Sequence, residues 1–115
     1  MSELSIWAQL ALFGGIGLLT VLIGLPLAFQ RVKPNRIYGF RTRRTLSDPK
    51  IWYRANRILG LNLVVAGISI AVNTAIVVAL SGYLPGLPVL VVNLLVFILA
   101  MAVAIAHSVQ ALSRM

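Results

Sequence analysis

The chain has 115 residues and carries ten Lys and Arg against two Asp and Glu, a net charge of +8, yet only 10% of it is charged and 60% is hydrophobic. About a quarter of a soluble domain is charged, so a mean hydropathy of +0.98 excludes an ordinary soluble protein and points to a bilayer-embedded one. With no cysteine in the chain, disulfide and thiol chemistry are excluded as well.

No residue between Glu3 and Arg31 is charged. A membrane span needs roughly 20 mostly apolar residues, so this stretch holds one, expected near 6–29. It opens with MSELSIWAQL, an acid and no base before the apolar run. A cleaved signal peptide has the reverse arrangement, so the span is expected to be retained. Gly14, Gly15, Gly17, Thr20 and Gly24 give it a small-residue character suited to close helix packing.

Nine of the ten bases then fall between Arg31 and Arg57, where Asp48 is the only acid. Short loops rich in Lys and Arg stay in the cytoplasm. The expected topology therefore places Glu3 and the N-terminus outside, the loop inside, and Arg114 inside. The plain role of such a loop is a topology signal lying on anionic lipid, and it accounts for the isoelectric point near 11.6 without nucleic acid.

The loop nevertheless has architecture. Pro34 resists continuation of the first helix, and Gly39 permits a backbone conformation that larger residues avoid. In "SDP", Ser47 or Asp48 can cap a helix whose first position suits Pro49. From Pro49 no Pro or Gly interrupts the chain before Gly60. One helix is therefore expected to emerge about two turns beyond the second span, near 57–80. Trp52, Asn56 and Gly60, at i, i+4 and i+8, share a face of it. Trp at this depth commonly serves as an interfacial anchor. Asn in line with it needs partners if buried, and Gly60 would admit another backbone. Together they suggest a docking face for the YGFRT stretch.

This stretch resembles the signature of the SdpI family of small bacterial membrane proteins. The matching residues are Asn35, Tyr38, Gly39, Phe40, Arg41, Thr42, Thr45, Trp52, Asn56 and Gly60. The resemblance covers nearly the whole chain as one membrane domain, 1–115; longer members carry further membrane segments ahead of it. It implies a role in the bacterial inner membrane: immunity to a secreted, membrane-active peptide toxin, coupled to signalling through a cytoplasmic repressor. The elaborate part of the chain faces the cytoplasm, whereas a toxin arrives from outside, so the loop suits signalling better than toxin capture. Arg41 is the expected functional charge, with Trp52 and Asn56 as the wall behind it.

Beyond Arg57 no charge appears before Arg114, and "SGYLPGLP" (81–88) divides that stretch. A third span is expected near 88–112. Asn62, Ser69 and Asn73 form one stripe on span two, and Asn93 and His107 lie within about 40° of each other on span three. Polar groups in hydrocarbon face the bundle interior, so the stripes of the three spans are expected to face one another. Their plain role is helix–helix glue; the functional alternative is a polar cavity. Asn73 and Asn93, both near the 81–88 connection, are expected to meet. His107, the only histidine, is expected to cap or sit at the interface.

The expected fold is thus an all-α membrane protein of three transmembrane helices with a basic, folded cytoplasmic loop between the first two. No carboxylate pair or His–Asp–Ser cluster is in reach, so no enzyme is expected. One His without Cys gives no metal site, and no cofactor is expected. The absence of an acid within a span argues against a proton-coupled exporter. The lipid bilayer is the expected surrounding, and self-association would thicken a thin bundle. A second functional class also fits: a binding or transport module for an anionic headgroup or small amphiphile.

Overall fold

The structure, a computed structural model, describes residues 5–115; Glu3 lies outside the described residues. All regular elements among these are helices: α1 (Ile6–Ala28), α2 (Arg43–Ser47), α3 (Pro49–Ser81) and α4 (Val89–Ser113). Three of them, α1, α3 and α4, are long and apolar enough to cross a membrane. Span one ends one residue earlier than the sequence predicts, and the helix at 43–47 is an addition to the expected loop.

Each boundary has a local cause. Ser5 caps α1 by accepting from Ala8 N at 3.1 Å. At the other end, Gln30 N donates to Leu27 O and Arg31 N to Pro26 O, with Gln30 at φ 58°. This is a Schellman ending with Gln where Gly is usual, and it stops α1 at Ala28, six residues before Pro34. Asp48 caps α3 by accepting from Lys50 N at 2.9 Å, with Pro49 at the first helical position.

At 33 residues, α3 is about 50 Å long by a rise of 1.5 Å per residue. It is the spine of a molecule 53 Å in its longest extent. Both α1 and α4 pack on α3, α1 the more extensively, while α1 and α4 scarcely touch each other. The three spans therefore do not close a bundle around one polar axis. The expectation that three stripes face one another holds only at one point, where Asn93 bonds both Asn73 and Gln9; elsewhere it is replaced by two seams along α3.

The α1–α3 seam is made by glycine. A Cβ on Gly17 would lie 2.6 Å from Gly67 O, and one on Gly67 would lie 2.5 Å from Gly17 O. Gly24 and Gly60 form the second such pair, with Gly60 also against the backbone of Ala28. Backbone meets backbone twice, seven residues apart, so these antiparallel helices lie closer than any side chain allows. Gly14 and Gly15 play no part, since a Cβ at either would meet nothing within 4 Å. Phe13 and Leu27 from α1, with Leu63 and Ile70 from α3, are buried in the helix core.

Candidate functional site

The segment between α1 and α3 is latched onto the first two turns of α3. Trp52 is fully buried, and its Nε1 donates to Val32 O at 2.8 Å. One turn on, Asn56 accepts from Phe40 N at 2.6 Å and donates to Phe40 O at 3.4 Å and Trp52 O at 3.0 Å. Its amide thus offers Phe40 the donor and acceptor that a neighbouring strand would offer. Gly39 adopts φ +114°. A Cβ there would lie 2.7 Å from Asn56 Oδ1 and 3.2 Å from the Trp52 ring, so only Gly combines this backbone with this approach.

Thr42 and Thr45 close the segment with a capping box. Thr42 N donates to Thr45 Oγ1 at 2.7 Å, and Thr45 N donates to Thr42 Oγ1 at 3.1 Å. This box starts α2 and buries Thr45 completely. Asn35 organises the earlier bend: its Oδ1 accepts from Ile37 N at 2.9 Å and Tyr38 N at 2.7 Å, and its Nδ2 donates to Lys33 O at 2.7 Å. Tyr38 reaches back to α1, its hydroxyl donating to Ile23 O. Burial of the phenol raises its pKa above the usual 10.0.

The structure therefore brings Gly39, Phe40, Trp52 and Asn56 together, with Thr42 and Thr45 beside them. Three expected placements change. Trp52 is interior, not an interfacial anchor, because its indole N–H finds a backbone carbonyl inside the latch. Gly60 receives the backbone of α1, not the YGFRT stretch. Arg41 likewise does not stand before a Trp52–Asn56 wall, because Gly39 and Phe40 occupy that wall. Its Nη1 donates to Arg36 O, and the residue is exposed. Arg31, Lys33, Arg36, Arg43, Arg44, Lys50, Arg54 and Arg57 are exposed too. The latch is apolar and hydrogen-bonded inside and cationic outside.

A different chemistry holds α4. Asn62 Nδ2 lies 2.9 Å from His107 Nδ1 and donates to Ser108 Oγ at 3.0 Å. Ser108 in turn donates to Ala104 O at 2.7 Å, which leaves its oxygen as the acceptor and fixes the Asn62 amide. Asn73 Nδ2 donates to Asn93 Oδ1 at 3.3 Å, and Asn93 Nδ2 to Gln9 Oε1 at 3.4 Å. Ser69 stands apart from the seam's hydrogen bonds, bonding its own helix at Val65 O. Asn62 and Ser69 line a shallow groove of about 290 Å³ between α3 and α4. A second, larger groove of about 730 Å³ opens beside the 81–88 connection, with Ser5, Gln9 and Leu87 on its walls.

Sequence reasoning missed Gln9, Ser108 and Val32. Gln9 and Ser108 are polar residues in apolar runs and could have been found by the same rule that flagged the asparagines. Val32 contributes only a carbonyl, which no side-chain pattern announces.

The SdpI/YfhL protein family matches the chain over residues 31–107, from the start of the latch to His107. A relative from Bacillus subtilis (strain 168), named "Uncharacterized protein YfhL", is 38% identical over 60 residues, 52% of this chain and 54% of that protein. The chain thus spans about half the length of that curated relative. No solved structure matches the chain. With the family signature folded into the latch and the family match running through α3 and α4, the chain belongs to the SdpI/YfhL family of membrane proteins.

Proposed function

We propose that the chain is a non-enzymatic, immunity-type protein of the bacterial inner membrane, with its N-terminus outside and both the latch and Arg114 in the cytoplasm. The observation that carries this reading is the latch itself. Signature residues hold a cationic segment in one conformation, so a docking partner meets preset charges and loses less freedom on binding. The partner is a cytoplasmic repressor, recruited through Arg41 and its neighbours, while protection against a secreted peptide toxin is exerted from the other side. In this orientation the groove beside 81–88 faces outward, towards an arriving toxin. Family membership supports the immunity part, and the +8 charge of the 31–57 segment supports the orientation.

One set of variants tests this in cells. Orientation is read first, by impermeant thiol labelling of Ser47→Cys, which is exposed in α2; labelling from outside would reverse the topology. Protection from toxin and repressor recruitment to membranes are then compared at matched protein levels. Arg41→Lys should impair both, because Lys cannot copy a planar two-point contact with a carboxylate or phosphate. Arg43→Lys and Arg44→Lys should do little, since either cation serves topology. Equal behaviour of all three variants would reduce the segment to a charge tether.

A second reading takes the same cationic face as a site for an anionic headgroup or small amphiphile. Asp48, the one acid within 31–57, is engaged as the α3 cap, which leaves the bases to external anions. Retention of a small molecule or lipid through purification, without a regulator, would favour it.

A further inference from the structure

The latch holds two large apolar side chains out of its own core, Leu46 in part and Ile37 almost wholly. Ile37 is 90% exposed, the most exposed large hydrophobic residue among those described. Its exposure is built in, because Asn35 Oδ1 holds the backbone on both sides of it through Ile37 N and Tyr38 N. Arg36 precedes it, and Arg41 braces Arg36 through the carbonyl. The direction of this elbow follows from Tyr38, whose hydroxyl donates to Ile23 O on an exposed part of α1. The glycine pairs set the depth of that bond. With Gly24 opposite Gly60 and Gly17 opposite Gly67, Leu27 is level with Arg57 and Ile23 with Leu61. Tyr38 therefore reaches one helical turn, about 6 Å, further into the membrane than the last base of α3. Amphipathic aromatic rings occupy this headgroup level.

We propose that the 36–38 elbow is a lipid-docking device, with Ile37 inserted into the interface of an anionic leaflet and Arg36 on its phosphates. This rests on the membrane-spanning assignment of α1 and α3 and shares the anionic headgroup with the second reading above; the insertion of Ile37 is independent of that reading and is tested separately. A bare charge tether would hold the segment near the surface without setting its depth. Here Tyr38 sets the depth, Ile37 supplies the apolar contact, and Arg36 supplies charge at the layer where phosphates lie. An aqueous protein partner fits less well, because the elbow folds back along α1 instead of outward from α2.

The chain has no cysteine, so Ile37→Cys in the full chain takes a single nitroxide, with Ser47→Cys as the exposed control. Collisions with oxygen, which concentrates in lipid, and with a nickel chelate, which stays in water, are compared in phosphatidylglycerol and in phosphatidylcholine vesicles. Position 37 should be oxygen-dominated in phosphatidylglycerol and shift towards nickel in phosphatidylcholine, while position 47 stays nickel-dominated in both. Behaviour of 37 like 47 would overturn the proposal, and the same oxygen dominance in both lipids would overturn its anionic part. A label-free measurement guards against insertion driven by the probe. Arg36→Gln, which leaves every latch hydrogen bond in place, should lower phosphatidylglycerol retained on purification by about fivefold, the equivalent of ~1 kcal/mol per base. Unchanged retention would count against it.

Discussion

The two seams on α3 are built on opposite principles. Against α1, four glycines bring backbone to backbone, and the latch then ties the same two helices through Trp52, Asn56 and Tyr38. Against α4, the specific contacts are side-chain hydrogen bonds, from Asn62 to the His107–Ser108 pair and from Asn73 to Asn93, the last as long as 3.3 Å, with a groove left between the helices. Lipid tails are as apolar as Leu, so no hydrophobic force distinguishes the two seams within the membrane. Association there comes from packing and hydrogen bonds. Close backbone contact gathers many dispersion contacts and leaves no rotamers to order, whereas single polar pairs each contribute little. The difference teaches that α1 and α3 form one rigid unit, and that α4 is the helix free to adjust.

The largest effect that could break this comparison is at the latch. Trp52→Ala should cost about 3–5 kcal/mol, the usual range for a buried large aromatic. Protease should then cut within 31–42, and Asn56→Ala should resemble it, because Phe40 N loses its acceptor. Survival of an uncut segment in both variants would mean that the latch is not what orders it. The next effect is at the glycine seam. Gly60→Val forces the α1 and α3 backbones apart and should destabilise by about 1–3 kcal/mol or more. Gly14→Val, which meets open space, should be nearly silent. Unfolding in detergent measures both, and equal values would dissolve the distinction between these glycines.

The α3–α4 seam should respond more weakly. Loss of Asn73 or Asn93 should cost about 0.6 kcal/mol and no more than about 1.7, as polar pairs in membranes do. Losing both should cost less than the sum, and strict additivity in a double-mutant cycle would remove the pair from the seam. The smallest effect sharpens the boundary of α1. Gln30→Gly relieves a left-handed residue but frees the unfolded chain, so a net gain of about 0.5 kcal/mol is expected. A loss of stability would show that the Gln30 side chain contributes to the α1 ending.

Much of this was legible from the residues in order. Asp48 followed by Pro49 announces the start of α3, because an N-cap and a Pro at the first helical position are local chemistry. The spacing of Trp52 and Asn56 announces a docking face, and the asparagines near 81–88 announce a pair across a short connection. The end of α1 was less legible, since Gln30 takes a backbone conformation that its side chain disfavours. Gly14 and Gly17 look alike in the sequence and differ wholly in the structure, because only the rotation of α1 about its axis decides which one meets α3.

The sequence by itself determined three apolar spans, the gathering of nine bases in one segment, and the helix start at Pro49, since length, charge and capping act between near neighbours. The tertiary structure alone decided that Gly60 receives α1, that Trp52 turns inward to Val32 O, that Tyr38 reaches Ile23 O, and that α4 packs on α3 and scarcely on α1. Each of these joins residues far apart in the chain through backbone atoms or through the relative rotation of two helices. Every residue carries the same backbone atoms, so no residue type marks such a contact in advance.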